Sequence, residues 1–394
     1  MTSERYDVII VGGAVMGSSA AFWLTRMQPD LSVLVIEMDP SYAYSATALS
    51  VASIRQQFTN PVNVEISRFG IGFIRDLEGS LGREVGIPSL GLRENGYLFL
   101  AGTSGAAATM QEVAAMQRAL GAGTEVLDAD ALAARFPWLR LDDVTAGSFG
   151  PSDEGWFDNM GLLNGFRLAA RAQGAEYLVD RVTDLLRAGE RITGVRLASG
   201  QEISCGALIN AAGTRAADIL RTAGEDIPVE PRKRTVFMID APNARHPDAP
   251  LIVDHTGFYL RPEGEHWITA IVPEGDGPVD PSDFEPRASD FEDLIWPRLY
   301  DRAPGFDAVK VLRWWVGHYD YNTLDQNAIV GRLPGLANLY LMNGFSGHGL
   351  QQAPAVGRGI AELIMTGGYR TIDMTPLGAE RLQTNTPFAE RAII

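Results

Sequence analysis

Apolar positions in this chain cluster into short unbroken runs, separated by glycine-rich turns and stretches of mixed polarity. Residues 6–11 (YDVIIV) end in four consecutive β-branched apolar residues, as in a strand buried on both faces of a parallel sheet. Residues 18–27 (SSAAFWLTRM) have helix-forming composition, with Ala21, Phe22 and Leu24 near one face. A second buried strand is predicted at 32–36 (SVLVI), ending on Glu37. Much later, 207–213 (ALINAAG) reads as a strand closing in a small-residue turn, with a helix predicted over 214–223. The strand predicted at 338–342 (NLYLM) enters the glycine-dense turn 343–350 (NGFSGHGL), and a helix is predicted over 355–365. Between them lie β-rich stretches at 234–239, 257–262 (GFYLRP) and 266–272, followed by a Gly/Pro/Asp-rich segment, 273–286, that reads as a surface loop.

The first strand, turn, helix and second strand form a unit with physical content. Gly12 permits the sharp turn, Gly17 lets helix and strand approach, and the open helix N-terminus suits a pyrophosphate. Glu37, 25 positions after Gly12, stands where a carboxylate accepts the hydroxyls of an adenosine ribose and repels a 2′-phosphate. The middle glycine of G-x-G-x-x-G is Ala14, so the motif by itself does not separate NAD from FAD. The second glycine-dense turn does. A nicotinamide-binding domain has no use for another anion site more than 300 residues from its phosphate loop, whereas FAD is long and gains negative charge on its ring when reduced.

Composition narrows the partners. The net charge is −16 and only two lysines occur, Lys233 and Lys310, a balance that disfavours nucleic acid and anionic membrane surfaces. One cysteine, Cys205, allows no intrachain disulfide and no thiolate zinc site, and the five histidines show no metal-ligand spacing. No apolar run approaches the ~18 residues of a membrane helix, and Met1 leads into the first strand without a basic leader, so a cytoplasmic protein without membrane insertion is expected.

Taken together, the first unit with Glu37, the NAAG strand end, the closing GFSGHGL and the following P-A-V-G-R-x-I-A-E-L resemble the D-amino-acid oxidase/sarcosine oxidase superfamily of FAD enzymes over nearly the whole chain. Residues 45–58, 150–158 and 319–330 look closest to its FOXRED-like, iminodiacetate-oxidase-like branch. The resemblance implies an α/β FAD lobe of Rossmann (glutathione-reductase) type, from segments 1–80, 145–225 and 325–394. It is interleaved with an antiparallel-sheet α+β substrate lobe from 81–144 and 226–324. It also implies FAD contacts at Gly12, Gly13, Ala14, Val15, Met16, Gly17 and Glu37. Further contacts fall at Ser45, Thr47, Ser50 and Val51 in a flavin loop and at Val182, Ala212 and Gly213. The last set is Gly344, Phe345, Ser346, Gly347, Gly349 and Leu350. With no histidine in residues 45–54 and Cys205 in a separate β region, the FAD is expected to be non-covalent.

The implied activity is oxidation of a C–N bond in a secondary amine or N-substituted amino acid. Hydride moves to flavin N5, the imine hydrolyses to carbonyl plus amine, and O2 or another acceptor reoxidises the flavin. Such chemistry asks the protein mainly to anchor and orient. Arg55, Tyr259 and His348 are the expected catalytic residues; Arg261, His318 and Gln351 are expected at the substrate. Arg261 is the favoured carboxylate anchor, because it lies two residues from Tyr259 and on the same face of a strand. Relatives place cationic residues where this chain has Phe58 and Gln351, and neither lysine falls in a flavin loop. Two other readings stay open on sequence: a flavin-carrying assembly or interaction protein, and an FAD enzyme acting on a hydroxy acid.

Overall fold

The computed structural model describes residues 5–391. Two eight-stranded sheets organise them. At the centre of the first, the strand Arg5–Val11, buried from Val8 on, lies parallel between Glu202–Asn210 and Val33–Glu37, and the ladder continues in parallel to Glu176–Val179 on one side and Leu339–Asn343 on the other. The antiparallel strands Val182–Ala188 and Arg191–Leu197 extend it from Glu202–Asn210. A sheet this apolar must be covered on both faces. Helices Val15–Met27, Asn159–Ala172 and Gly349–Thr366 cover one, their apolar residues forming a single cluster with Ile10, Val35 and Met342. The short helix Ala216–Arg221 and the antiparallel strands cover the other.

The second sheet runs in the order Lys310–Asn322, Val229–Asp240, His266–Ile271, Phe258–Glu263, Leu251–Val253, Tyr97–Ala101, Ala146–Gly150, Glu125–Asp128. All its pairs are antiparallel except Leu251–Val253 with Tyr97–Ala101, which run parallel. Its outer face packs on Phe291, Ile295, Leu299 and Phe306. Its inner face presents Tyr97, Val236, Leu251 and Tyr259 towards the first sheet.

Three expectations shift. The boundary at 145 falls one strand early, because Ala146–Gly150 pairs with Tyr97–Ala101 in the second sheet. The helix expected over 214–223 splits into a 3-10 turn, Gly213–Arg215, and the six-residue helix Ala216–Arg221. The helix expected to start at 355 starts at Gly349 and contains Pro354. Proline removes one N–H bond near the helix start, and Trp23 Nε1 donates to its carbonyl at 2.9 Å, fixing that turn against the helix Val15–Met27.

Candidate active site

The first βα turn is built by close approach. A Cβ on Gly17 would sit 1.9 Å from the Gly12 carbonyl oxygen, so only glycine lets the helix Val15–Met27 start here. The cap residue Ala14 makes no side-chain bond to that helix, Thr47 Oγ1 accepts the Val15 N–H at 3.3 Å, and Glu37 bridges the turn by accepting the N–H groups of Gly13 at 2.7 Å and Asp39 at 2.8 Å. Burial pushes the Glu37 carboxyl above its usual range.

The second turn is wound by three left-handed residues in four: Gly344, Ser346 and Gly347 have φ of 70°, 51° and 95°. A side chain on Gly347 would meet the Tyr319 ring at 2.6 Å. Asp320 holds the turn by accepting the N–H groups of Gly344 at 2.8 Å and Phe345 at 3.2 Å. Burial raises this carboxyl to about 6. The helix that follows, again without a side-chain cap, points its N-terminus at the same space as the first.

That space is one cavity of about 900 Å³ lined by both turns. Its wall includes Gly12, Ala14, Val15, Met16 and Glu37, the loop residues Ser45, Thr47, Ser50 and Val51, and Val182, Ala212 and Gly213. At the other turn it includes Phe345, Ser346, Gly347, Gly349 and Leu350. Gly13, Gly17 and Gly344 stand behind the wall, where they shape the turns.

A chamber of side chains closes one end. Arg55, 2% exposed, donates from Nη2 to His348 Nε2 at 3.0 Å; a guanidinium has no acceptor, so Nε2 accepts. Arg55 also lies over the rings of Phe58 and Tyr97. Tyr97, Tyr259 and Tyr319 line the same chamber. Burial raises the phenols of all three, and each interacts electrostatically with at least one of the other two. Gln351 contributes structure: its Oε1 accepts from the Arg55 backbone N–H at 2.9 Å and the Ser67 hydroxyl at 3.1 Å. His318 lines the wall edge-on to Phe284; its Nε2 is buried without a partner among the described residues, and burial lowers its pKa.

Arg261 is not in this wall. It does share a strand face with Tyr259, but two residues at ~3.3 Å rise each carry it beyond the chamber. There it donates to the Val51 carbonyl at 3.0 Å, pairs with Glu263 and lies over Trp156. It braces the segment around Val51 from behind. The arginine of this sheet that does reach the cavity is Arg234, with Tyr97, Tyr319 and Phe284 also unforeseen. A signal for Arg234 existed: Arg232, Lys233 and Arg234 are consecutive cations in an acidic chain, just before an apolar run.

A profile of the family described as FAD dependent oxidoreductase (DAO) matches residues 7–363. The chain belongs to this family. FAD is its cofactor, and it is an oxidoreductase of the D-amino-acid oxidase type, related to N-methyl amino acid oxidases. It is 38% identical to "FAD-dependent oxidoreductase domain-containing protein 1" of Xenopus laevis, over 99% of this chain and 85% of that protein. It is 26% identical to the N-methyl-L-tryptophan oxidase of Salmonella typhi, over 96% of this chain and 99% of the oxidase. The crystal structure of L-proline dehydrogenase from P. horikoshii superposes with a TM-score of 0.84 at 26% identity, covering 97% of this chain and 99% of the other.

The residues present fit FAD. Two helix N-termini open onto a single cavity, the Glu37 carboxylate stands in its wall after the first, and a glycine-only close approach builds the turn between strand and helix. Among the described residues no helix is long and apolar enough to cross a membrane.

Proposed function

We propose that the protein oxidises the C–N bond of a secondary amine or N-substituted amino acid that carries a carboxylate. The observation that carries this reading is the chamber: a buried arginine, Arg55, in a wall shared with Tyr97, Arg234, Tyr259, Tyr319, His348 and Gln351. Bound FAD supplies the acceptor for the hydride from the carbon beside nitrogen. The protein's share is placement. Arg55 binds the carboxylate with its planar fork, His348 holds that guanidinium by accepting from Nη2, and Tyr259 hydrogen-bonds beside the amine. The tyrosine rings exclude water and favour the neutral amine, whose lone pair the reaction needs. The N-termini of Val15–Met27 and Gly349–Thr366 would hold the diphosphate and the electron-rich edge of the reduced ring.

The relatives' substrates support this assignment, since N-methyltryptophan and proline both join a secondary amine to a carboxylate. Non-covalent attachment is supported by Cys205, which packs in the cluster on the far face of the first sheet with its thiol pushed up to about 11 by burial. Lys233 is tied to Asp283 at 2.7 Å, and neither lysine lines the cavity, which supports an acceptor other than O2.

Anaerobic mixing with a panel of N-methyl amino acids, proline, iminodiacetate and matched hydroxy acids tests the reading. The 450-nm flavin band should bleach with carboxylated amines, and a dye should restore it faster than air does. Bleaching by hydroxy acids alone would move the enzyme to C–O chemistry. No bleaching by any compound would favour a flavin-carrying interaction protein.

A further inference from the structure

Arg55 and His348 meet at 3.0 Å although 293 residues separate them, so their geometry depends on what ties their two segments together. One tie is Gln351, through the Arg55 backbone N–H and the Ser67 hydroxyl. A second comes from a third segment. Glu390 is 1% exposed. Its Oε1 accepts the Thr59 N–H at 2.9 Å and the Thr59 hydroxyl at 2.6 Å, and its Oε2 accepts the Asn60 N–H at 3.2 Å and Asn63 Nδ2 at 2.9 Å. Asn60 is the cap residue of the helix Pro61–Arg75 and makes no side-chain cap bond of its own, so Glu390 brings the negative charge to that helix start. The segment that carries Glu390 is itself fastened. Asp325 accepts the Phe388 N–H with its carboxylate at 3.0 Å and the Glu390 N–H with its backbone carbonyl at 3.1 Å, and it pairs with the buried Arg381 at 2.7 Å.

Two short routes lead from this carboxylate to the chamber. Thr59 and Asn60 directly follow Phe58, a fully buried ring that lies edge-on to His348 at 5.1 Å and 4.6 Å from the Arg55 guanidinium. Asn63 carries the contact to the helix Gly349–Thr366, because its Oδ1 accepts from Gln352 Nε2 at 3.3 Å in the turn that follows His348. A buried carboxylate is costly unless its donors are in place, so residues 59–63 are held to one arrangement around Glu390. We infer that Glu390 is a positioning residue for the substrate anchor, locking residues 58–63 against the start of Gly349–Thr366 so that Arg55 and His348 meet a substrate carboxylate in one fixed geometry. This rests on the reading above in which Arg55 binds that carboxylate. Glu390 is not in the cavity wall, so its effect on binding runs through Phe58 and Gln352.

Binding of acetate, an unreactive carboxylate, to the FAD-loaded proteins by equilibrium dialysis tests this without any turnover. The variants are Glu390→Ala, Glu390→Gln and Arg55→Met. Leu132→Ala, which opens a hole in the outer core of the second sheet away from the cavity wall, is the control for lost stability. Glu390→Ala should raise the acetate Kd at least ~10-fold, given that misplacing a positioned group by about 1 Å can cost ~10²-fold. Glu390→Gln keeps one acceptor oxygen and should raise the Kd by less. Leu132→Ala should lower Tm and leave the Kd unchanged. Wild-type acetate affinity in Glu390→Ala, or in Glu390→Gln where the alanine variant does not fold, overturns the role of Glu390 alone. So does an equal loss of affinity in Leu132→Ala, because the effect then follows stability and not position. Wild-type affinity in Arg55→Met, or no acetate bound by the wild-type protein, overturns the assignment of the anchor to Arg55 and this inference with it.

Discussion

The two ends of the cavity are made in different ways. At the diphosphate end, one contiguous stretch does nearly everything. Residues 12–17 supply the turn, the close approach and the helix N-terminus, and Glu37 arrives on the very next strand. Recognition there uses backbone N–H groups, so its requirements are stereochemical and leave a glycine signature. At the tyrosine end, Arg55, Tyr97, Arg234, Tyr259, Tyr319, His348 and Gln351 come from separate segments brought together across both sheets. Recognition there would use side chains, each carried by a different segment. Backbone recognition is local in sequence, while side-chain recognition is dispersed along it.

The sharpest way to break this contrast is at Gly17. Gly17→Val places a branched side chain where even a Cβ would be 1.9 Å from the Gly12 oxygen, which no rotamer relieves. The protein should purify colourless or nearly so, with FAD affinity down at least ~100-fold, equivalent to about 3 kcal/mol. Retention of a full flavin spectrum would mean that the turn relaxes and that the cofactor is held mainly by side chains.

A pair of arginines then separates the chamber from its supports. Arg55→Met should retain FAD but lose about 10²-fold in kcat/KM on carboxylated amines, since the carboxylate would be buried without its cation. Arg261→Met should do the opposite. By releasing the Val51 carbonyl and Glu263 it should lower Tm and weaken FAD retention, with KM for the amine nearly unchanged. If Arg261→Met instead raises KM as much as Arg55→Met, the anchor belongs at Arg261 and its placement behind Val51 is wrong for the liganded enzyme.

That pair also shows where sequence reading reaches its limit. The strands and both glycine turns were legible, because periodicity and left-handed or close-packed glycines report local geometry. Tyr259 was legible from its strand, and the alternation that placed Arg261 on its face was correct. What alternation does not report is distance along the strand relative to a cavity edge, so the inference from shared face to shared site failed by two residues. Arg234 was hidden for a related reason. Its orientation depends on Asp276, 42 residues away in a loop whose composition signals only a turn. Glu154 was hidden because nothing in the segment 150–158 marks its carboxylate as buried.

Glu154 supports the smallest effect and the one that most directly tests the dispersed end. It is 1% exposed and lies behind the chamber, accepting from the Gln56 N–H at 2.6 Å and Gln57 Nε2 at 2.7 Å; Gln57 in turn accepts from the Ser148 hydroxyl at 2.6 Å and donates to the Tyr97 carbonyl at 2.9 Å. Burial raises its carboxyl to about 7, outweighing these hydrogen bonds and the nearby Arg55 charge, both of which favour the ionised form. Because the folded pKa lies above the unfolded value of 4.5, the folded state binds more protons in between. The contribution is therefore fully present below about pH 4.5 and lost as pH rises through 7. Glu154→Gln cannot titrate. It should cost a pH-independent amount, because an amide offers one acceptor oxygen to two donors, and it should remove the pH-dependent part. The wild-type advantage in Tm over Glu154→Gln should thus shrink by about 2–4 °C between pH 5 and pH 8. Thermal melts of the two FAD-loaded proteins across that range measure it. A gap that stays constant would mean that Glu154 is ionised throughout and held so by Arg55, making the two residues a permanent ion pair and leaving the substrate carboxylate to a different cation.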